Sequence, residues 1–290
     1  MGRKDWKMGK NTILQRLERL RRWMGERGVS ACVVPQADPH LGEYVDAHWQ
    51  IRAWFSGFTG SAGTLVVTRS RAALWTDSRY FLQAEKQLQG SSIVLMREGI
   101  DTSWQDWLAG HGKVAADARL FSCARWRELK RKLPLYDEAS FEELWEDRPA
   151  QTCAPAFVLA PALCGEEASA KLQRLRDAVN LKAEKYLLLS SLDAIGWLLN
   201  IRGNDLKYSP LLRCYLLVGA SDGVLFAGKG ALDERVSDYL ASLGLDVCDY
   251  ERLRERLQSL LPDSLSADFA ETPAAVAEWT VVTQVTDPVP

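Results

Sequence analysis

Short apolar runs alternate with amphipathic stretches along the chain, and this pattern predicts an α/β fold. The clearest example spans residues 55–84. A glycine- and serine-rich stretch over 55–63 predicts a tight turn, because glycine adopts positive φ and lets backbones approach closely. Apolar runs over 64–68 and 72–75 predict the strands of a hairpin. A cap at position 77 or 78 then predicts a helix that starts near Arg79.

The rest of the first half extends this unit. Apolar residues at helical spacing predict a first helix capped by Asn11 or Thr12, and a buried strand that ends at Pro35 follows it. A polar loop that contains His40 leads to the glycine-rich stretch. Beyond the helix near Arg79, the pattern predicts strands over 93–96 and 114–116 and helices over 103–109, 123–132 and 141–146.

The second half repeats this order of elements. A helix, a strand and a long segment over 192–205 precede a hairpin whose turn contains Asp222-Gly223. Asp117 and Asp268 occupy equivalent places, each at the end of a strand. We therefore expect two similar domains, each a mixed β-sheet with flanking helices. The predicted helices are 168–179, 233–243, 251–260 and 273–279, and the predicted strands are 186–189, 214–218, 224–227, 246–248, 265–267 and 281–285.

Composition predicts where these domains begin and end. Several prolines and Gly165 fall in a stretch with little periodicity, which predicts a linker over 151–165. We therefore expect a flexible tail over 1–10, a first domain over 11–150 and a second domain over 166–290.

The overall charge argues against some classes of partner. The formal net charge of −2 gives no reason to expect nucleic acid or an anionic membrane. No apolar run approaches the roughly 18–20 residues that span a bilayer, and no secretory signal is recognisable at the basic N-terminus. None of the six cysteines belongs to a Cys-x-x-Cys pair and most lie in apolar runs, so we expect buried free thiols and a cytoplasmic location.

The residue types that carry most chemistry do not form a known catalytic motif. The sequence has no His-Glu-x-x-His, no nucleophile elbow and no phosphate-binding loop. His40 with Glu43 or Asp38 could hold a metal ion, but such loops are common, and a solvated or structurally hydrogen-bonded histidine is the favoured interpretation.

Two arginines allow both a structural and a functional interpretation. Arg202 follows an apolar helix with Asp205 nearby, and the favoured interpretation is an ion pair between them that fixes the turn. A position in a cleft is the other interpretation. Arg52, close to the glycine-rich turn, is also expected to be structural.

Four separated segments carry more specific motifs. They are Phe-Ser-Gly-Phe-Thr-Gly-Ser-Ala-Gly-Thr over 55–64, Leu-Trp-Thr-Asp-Ser-Arg-Tyr-Phe-Leu-Gln-Ala over 74–84, Trp-x-Asp-Arg-Pro over 145–149 and Leu-Asp-x-Ile-x-Trp-Leu-x-Asn-Ile-Arg-Gly-x-Asp over 192–205. These segments closely resemble the cytosolic type of Xaa-Pro aminopeptidase (aminopeptidase P), a family of the creatinase/prolidase group. His40, Glu43, Tyr44 and Arg52 also fall where the first domain of that family has them.

The resemblance implies two related, RNase H-like domains of the creatinase N-terminal type, which agrees with the repeat seen in the pattern. In the family, a third pita-bread domain holds two metal ions, usually manganese, and the water they activate cleaves an N-terminal residue from a following proline. The resemblance ends where the linker to that domain would begin. We therefore expect no catalytic residue, no metal ligand and no bound cofactor in this chain, and no activity of the chain alone.

The resemblance also implies a role for the two domains. In the family they shape the substrate cleft for peptides with proline in second position and take part in homodimer contacts. His40, Tyr80, Arg202 and Asp205 are the residues that we expect to face the substrate or the third domain.

Two alternatives remain open at this point. The chain could be a standalone regulatory protein of this family that partners a full-length enzyme. It could also be an independent hydrolase on an RNase H-like sheet, with Asp77, Asp117 and Asp268 as candidate carboxylates.

Overall fold

A computed structural model describes residues 10–136 and 139–289. The predicted tail over 1–10 therefore lies almost entirely outside the described residues. Contacts divide the chain into two compact units. The first falls within Met1–Ala37, Ala47–Ala118 and Arg127–Pro149, and the second within Asp38–Asp46, Arg119–Trp126 and Ala150–Pro290.

The first half of the chain folds around a six-stranded mixed sheet. Its strands are β1 (Ala31–Pro35), β2 (Thr64–Thr68), β3 (Ala72–Thr76), β4 (Ile93–Arg97), β5 (Val114–Ala116) and β6 (Leu135–Tyr136). They lie in the order β4-β3-β2-β1-β5-β6. The pairs β1–β2 and β2–β3 are antiparallel, whereas the other neighbours are parallel. The helices are α1 (Lys10–Glu26), α2 (Ile51–Ser56), α3 (Phe81–Leu88), α4 (Trp104–Trp107) and α5 (Cys123–Lys132).

The second half folds around a sheet of the same kind. Its strands and helices are β7 (Phe157–Val158), α6 (Ala168–Ala178), β8 (Tyr186–Leu189), α7 (Leu192–Leu198), β9 (Ile201–Arg202), β10 (Cys214–Val218), β11 (Gly223–Ala227), α8 (Glu234–Ser242), β12 (Leu245–Asp249), α9 (Leu253–Gln258), β13 (Leu265–Asp268), α10 (Ala274–Trp279) and β14 (Val282–Val285). The six main strands lie in the order β12-β11-β10-β8-β13-β14. The pairs β8–β10 and β10–β11 are antiparallel, and the other neighbours are parallel.

The two sheets match strand for strand. β1 corresponds to β8, the hairpin of β2 and β3 to that of β10 and β11, and the remaining strands follow in the same order and direction. Five helices also occupy the same places relative to the six strands of the sheet in each half. The repeat and the fold class predicted from the sequence are therefore confirmed.

Apolar side chains of the first helix and sheet form the core of the first unit. Leu17, Leu20 and Met24 of α1 are fully buried, and they share one cluster with Val34 of β1 and Leu65 of β2. Burying each such side chain stabilises the fold by about 1.5–3 kcal/mol. Helical spacing of the three α1 residues places them on one face, which is why the sequence pattern predicts this helix.

The second sheet is covered on both faces. Leu187 and Leu189 of β8 belong to one buried cluster, and Leu188 between them belongs to another. Successive strand residues point to opposite faces. The continuous apolar run of β8 therefore reflects burial on two sides.

Several predicted boundaries differ from the structure. α1 begins at Lys10, before both predicted caps. The helix predicted over 141–146 is wrong, because only Glu142–Leu144 forms a short 3-10 turn. Leu144 and Trp145 are both buried in the core of the first unit, and the backbone around them continues as an irregular segment.

The long loops and the predicted linker contain more structure than the pattern predicts. α2 and α7 lie within the two long loops, and β6 lies in a stretch with no predicted strand. The predicted linker over 151–165 contains β7, which pairs antiparallel with β9.

Among the helices that the structure describes, none has the length and apolar character needed to span a bilayer. All six cysteines are free thiols, and Cys32, Cys123 and Cys214 are buried as expected. Cys153 is exposed, and the other two are half-buried. Burial raises the pKa of the Cys32 and Cys214 thiols.

Candidate functional site

His40 lies in the loop over 38–46, which belongs to the second unit. Its side chain is buried, with Nδ1 2.9 Å from the carbonyl oxygen of Ser190 and Nε2 2.9 Å from the hydroxyl of Tyr250. A carbonyl oxygen can only accept, so Nδ1–H donates to Ser190 and Nε2 accepts from Tyr250. Burial lowers the pKa of His40 to about 3, and the charge of Arg213 acts in the same direction. The imidazole is therefore neutral and fixed in one tautomer.

Two tyrosine rings hold this histidine in place. The Tyr215 ring lies 4.4 Å from the His40 ring between centroids, and its hydroxyl donates to the carbonyl oxygen of Pro39 at 3.0 Å. The guanidinium of Arg213 lies 4.4 Å from the centroid of the Tyr250 ring. Burial raises the pKa of both tyrosines. The cluster attaches the loop to β10 through Tyr215 and to the turn that follows β12 through Tyr250.

The same loop forms one wall of a cleft of about 280 Å³ in the second unit. Asp38 in this wall is buried, and its carboxylate accepts from the backbone N–H of His40 at 2.9 Å. Burial raises the pKa of Asp38 to about 6, nearby Asp46 adds to the rise, and the backbone donors oppose it. The residues that line the cleft are Asp38, His40, Leu41, Gly42, Glu43, Tyr44, Ser191, Leu192, Asp193, Leu206, Ser209, Leu211 and Glu271.

A second wall of the cleft lies beside the carboxyl ends of β8 and β13. Asp193 at the start of α7 accepts from the hydroxyl of Ser191 at 2.5 Å. Glu271 follows β13, and its pKa is raised by burial first and then by Asp268, Asp193 and Asp287. The field of the surrounding carboxylates therefore opposes ionisation inside this cleft.

Asp205 and Arg202 both bond to backbone atoms, so the ion pair predicted between them is wrong. The buried Asp205 carboxylate accepts from the N–H of Ala154 at 2.7 Å and of Arg213 at 2.8 Å. Arg202 donates through Nη1 to the carbonyl oxygens of Gly196 at 2.6 Å and of Ile201 at 2.8 Å. Asp205 thus ties the segment before β7 to the start of β10, and Arg202 closes the turn after α7.

The sequence reasoning missed a lysine that acts on the same turn. Lys171 of α6 is buried, and its ammonium donates to Asn200 Oδ1 at 2.5 Å and to the carbonyl oxygen of Trp197. It also lies 4.4 Å from the centroid of the Trp197 ring. Burial lowers the pKa of Lys171. Asn200 adopts a positive φ of 53°, a conformation that asparagine tolerates better than most residues.

Tyr80 fixes the glycine-rich loop of the first unit. Its hydroxyl lies 2.6 Å from Ser61 Oγ, and its ring lies 6.1 Å from that of Phe58. A Cβ added at Gly60 would lie 2.8 Å from the Tyr80 ring and 2.4 Å from the Phe58 ring. The close approach of these rings is the reason that the loop needs glycine at position 60.

Arg52 holds the same loop from within the core. It is fully buried and donates to the carbonyl oxygens of Phe58 at 3.1 Å and Gly60 at 2.5 Å, and to Gln36 Oε1 at 2.8 Å. Burial lowers the pKa of Arg52 to about 9, so the guanidinium stays charged at neutral pH. The structural interpretation of Arg52 therefore agrees with its contacts.

Two carboxylates of the hydrolase alternative, Asp77 and Asp268, accept hydrogen bonds from backbone N–H groups. Asp77 accepts from the backbone N–H and the side chain of Arg79, and Asp268 accepts from the N–H of Ala270 and Asp287. Asp77 and Asp117 belong to the first unit and Asp268 to the second. Within residues 10–136 and 139–289, no group of three or more His, Cys, Asp or Glu side chains is arranged to hold a metal ion.

Comparison with known proteins gives the family. The model of the creatinase/prolidase N-terminal domain matches residues 16–147, and a second model of the same description matches residues 147–289. The chain belongs to the creatinase/prolidase N-terminal domain family. It carries two such domains in tandem, in agreement with the two equivalent sheets.

Relatives of this tandem are Xaa-Pro aminopeptidases. Aminopeptidase P2 of Arabidopsis thaliana is 36% identical over 268 residues, which cover 87% of this chain and 38% of the relative. Xaa-Pro aminopeptidase 1 of Dictyostelium discoideum is 32% identical over 87% of this chain and 43% of the relative. The chain thus spans about two fifths of the length of these relatives.

A solved structure resembles the whole tandem. The X-prolyl aminopeptidase of Caenorhabditis elegans, a cytosolic enzyme with a di-nuclear active site, matches 94% of this chain and 50% of its own chain. The TM-score is 0.85 and the identity 27%. The resemblance implies two metal ions, and the described residues of this creatinase-type tandem contain no group of three or more His, Cys, Asp or Glu side chains that would hold them.

Proposed function

We propose that this chain supplies the two non-catalytic N-terminal domains of an Xaa-Pro aminopeptidase, an enzyme that removes an N-terminal residue before proline. The similarity to Xaa-Pro aminopeptidases over nearly the whole chain carries the proposal, together with its span of about two fifths of their length. In this proposal the chain forms part of the wall around the substrate. The hydrolysis is carried out by the region of the enzyme that corresponds to the unmatched part of the relatives.

The contacts of the candidate residues support this division of labour. Both ring nitrogens of His40 are occupied and its pKa is far below neutral, so it cannot act as a general base at physiological pH. The side chains of Arg202 and Asp205 form hydrogen bonds with backbone groups. These residues shape loops that could line a substrate cleft, which is a positioning role.

Several properties of the complete enzyme follow from the same proposal. Two manganese ions would be held by the catalytic region, and the substrates would be peptides with proline in second position. We further propose a homodimer in the cytoplasm, in line with the cytosolic C. elegans relative.

A chimeric enzyme tests the framing role. The matched region of the Arabidopsis aminopeptidase P2 is replaced by this chain, and release of arginine from Arg-Pro-Pro is followed by chromatography with Mn²⁺ present. We expect the chimera to cleave the peptide and this chain alone to leave it intact. Turnover by the isolated chain that survives repurification would contradict the proposal, as would a folded, manganese-loaded chimera without activity.

The regulatory alternative gives a different result in a second measurement. A regulator would bind the intact Arabidopsis enzyme and change its rate of arginine release. We expect the rate to be unchanged when the chain is added in excess.

A further inference from the structure

The cleft beside His40 has an aromatic rim. Tyr44 and Tyr208 are 42% and 70% exposed, and their rings lie 6.0 Å apart between centroids. Exposed tyrosines are common at binding surfaces, because a ring offers apolar contact and a hydroxyl at small cost in side-chain entropy. Tyr44 itself lines the cleft, and Ser209, which follows Tyr208, lines it as well.

Apolar and acidic groups share the interior of the cleft. Four leucines line it, and the charged side chains of the lining are all carboxylates. His40 in the same wall is neutral, so it does not offset their charge. The ammonium of Lys207 lies outside the lining, 5.0 Å from the centroid of the Tyr208 ring. The carboxylates are Asp38, Glu43, Asp193 and Glu271, and the leucines are Leu41, Leu192, Leu206 and Leu211.

An unsatisfied hydroxyl belongs to Ser190, which precedes the lining residue Ser191. Ser190 is buried, its Oγ has no hydrogen-bond partner among the described residues, and its carbonyl oxygen accepts from the lining residue His40. A buried polar atom without a partner costs about 1–3 kcal/mol. A donor that reached this depth would recover part of that cost.

We propose that this cleft binds the cationic side chain of a lysine or arginine in an unstructured peptide. The carboxylates surround the charge, and the leucines and Tyr44 contact the aliphatic stem. Long basic side chains combine an apolar stem with a charged end, and the mixed lining matches both parts. The apolar wall and the aromatic rim favour such an organic cation over a bare metal ion.

This inference rests on the proposed function and deepens it, because it assigns a preference for basic residues in the peptide substrate. Burial raises the pKa of Asp38 and of Glu271, and neighbouring carboxylates add to the rise. A bound guanidinium would offset the repulsion among these carboxylates.

Calorimetric titration of this chain with two peptides tests the inference. The probes are acetyl-Ala-Pro-Arg amide and the same peptide with citrulline, a neutral analogue of arginine with nearly the same shape. At neutral pH and low salt we expect the arginine peptide to bind at least roughly tenfold more tightly, as is usual for hydrogen bonds to a charged group. The difference should shrink in 0.5 M sodium chloride, because exposed charges are screened.

Exposed carboxylates of the cleft provide the matched variants. Glu43→Gln and Asp193→Asn should each weaken binding of the arginine peptide several-fold and leave the citrulline peptide unaffected. Glu251→Gln changes an exposed carboxylate of the same unit outside the cleft, and it should leave both affinities unchanged. All three positions are exposed, so the variants should fold like the parent.

Three results would overturn the inference. They are equal binding of the two peptides, a loss of binding in Glu251→Gln equal to that in the cleft variants, and displacement of the arginine peptide by equimolar Mn²⁺ or Ca²⁺, which would indicate a metal site. The measurement needs no turnover. An inactive chimera would therefore refute the framing role without affecting the measured preference for the arginine peptide. Equal binding of the two peptides would refute this inference without affecting the framing role.

Discussion

The two halves of the chain stabilise an equivalent connector with different residues. In each, a connector with a short helix leads from the first strand into the hairpin, and a buried cation binds carbonyl oxygens of that connector. Arg52 binds those of Phe58 and Gly60 in the first half. Lys171 binds that of Trp197 in the second, together with the Asn200 side chain. The framework is repeated, and the residues that stabilise it are not.

The two halves also differ in the surface that their connectors offer to a ligand. The first connector packs its glycine-rich loop around Phe58 and Tyr80. The second lies beside a cleft lined by carboxylates, and the loop over 38–46 at the start of the first connector forms one wall of that cleft. We infer that the glycine-rich part of the first connector is mainly structural, and that the loop over 38–46 and the second connector together offer the better position for a ligand. The predictions below test this contrast.

The largest effect is expected from Arg52→Met. Three acceptors would lose a charged donor inside the core, so the free energy of unfolding should fall by about 3–4 kcal/mol. Urea denaturation followed by circular dichroism measures this. Arg79→Met, at a pair whose arginine side chain is 66% exposed, is the control and should change stability by less than about 0.5 kcal/mol. Equal losses of stability in the two variants would contradict a structural role of Arg52.

A pH-dependent effect is expected from Asp38. Its pKa is about 6 in the fold against the usual 3.8 of an aspartate, so the folded carboxyl keeps its proton where the unfolded one has lost it. Stability should therefore fall as pH rises from about 4 to about 6, by up to about 3 kcal/mol.

Asp38→Asn isolates this contribution, because its amide oxygen still accepts the backbone donors of the loop. The charged or titratable groups around Asp38 include His40, Glu43, Asp46, Tyr215 and Tyr250. The tyrosines do not titrate in this range, and the pKa of His40 lies at about 3, below it. The difference in unfolding free energy between parent and variant should change with pH over 4–6. A constant difference would mean that Asp38 is ionised throughout.

A smaller loss is expected from Lys171→Met. The variant removes the donor to Trp197 and Asn200 but also removes the cost of a buried charge, so we expect a loss of about 2 kcal/mol. Lys182→Met, at an exposed position of the same unit, is the matched control. If Lys171→Met were as stable as the parent, the proposed similarity between the two connectors would fail.

The smallest effect is expected from Tyr80→Phe. It removes the hydrogen bond to Ser61 at a partly exposed site and keeps the ring against Phe58, so the cost should be about 0.5–1 kcal/mol. A double-mutant cycle with Ser61→Ala gives the coupling between the two hydroxyls. No measurable coupling would show that the ring alone positions the loop.

Local pattern predicted most of the framework, because strands and amphipathic helices each leave a periodic signal. The Asp222-Gly223 turn and the buried run of β8 were readable for that reason. α2 has only six residues, too few to establish a period. The prediction of a helix over 141–146 is wrong, because the burial of the aromatic residues there is determined by tertiary packing and not by a helical period.

The candidate site was less predictable, because its contacts join residues far apart in sequence. For His40 the sequence leaves open a solvated or a hydrogen-bonded side chain, and its partners Ser190 and Tyr250 cannot be identified from the sequence. Lys171 carries no sequence signal of burial, since lysine is usually exposed. Arg202 and Asp205 looked like an ion pair by proximity, and backbone groups proved to be their partners.

The manganese content of the purified chain tests the central claim most directly. The claim is that these two domains frame a reaction centre held by other residues of the enzyme. After loading with Mn²⁺ and extensive dialysis, elemental analysis should find well below one manganese per chain. Two tightly bound manganese ions per chain, retained together with cleavage of Arg-Pro-Pro, would contradict the claim.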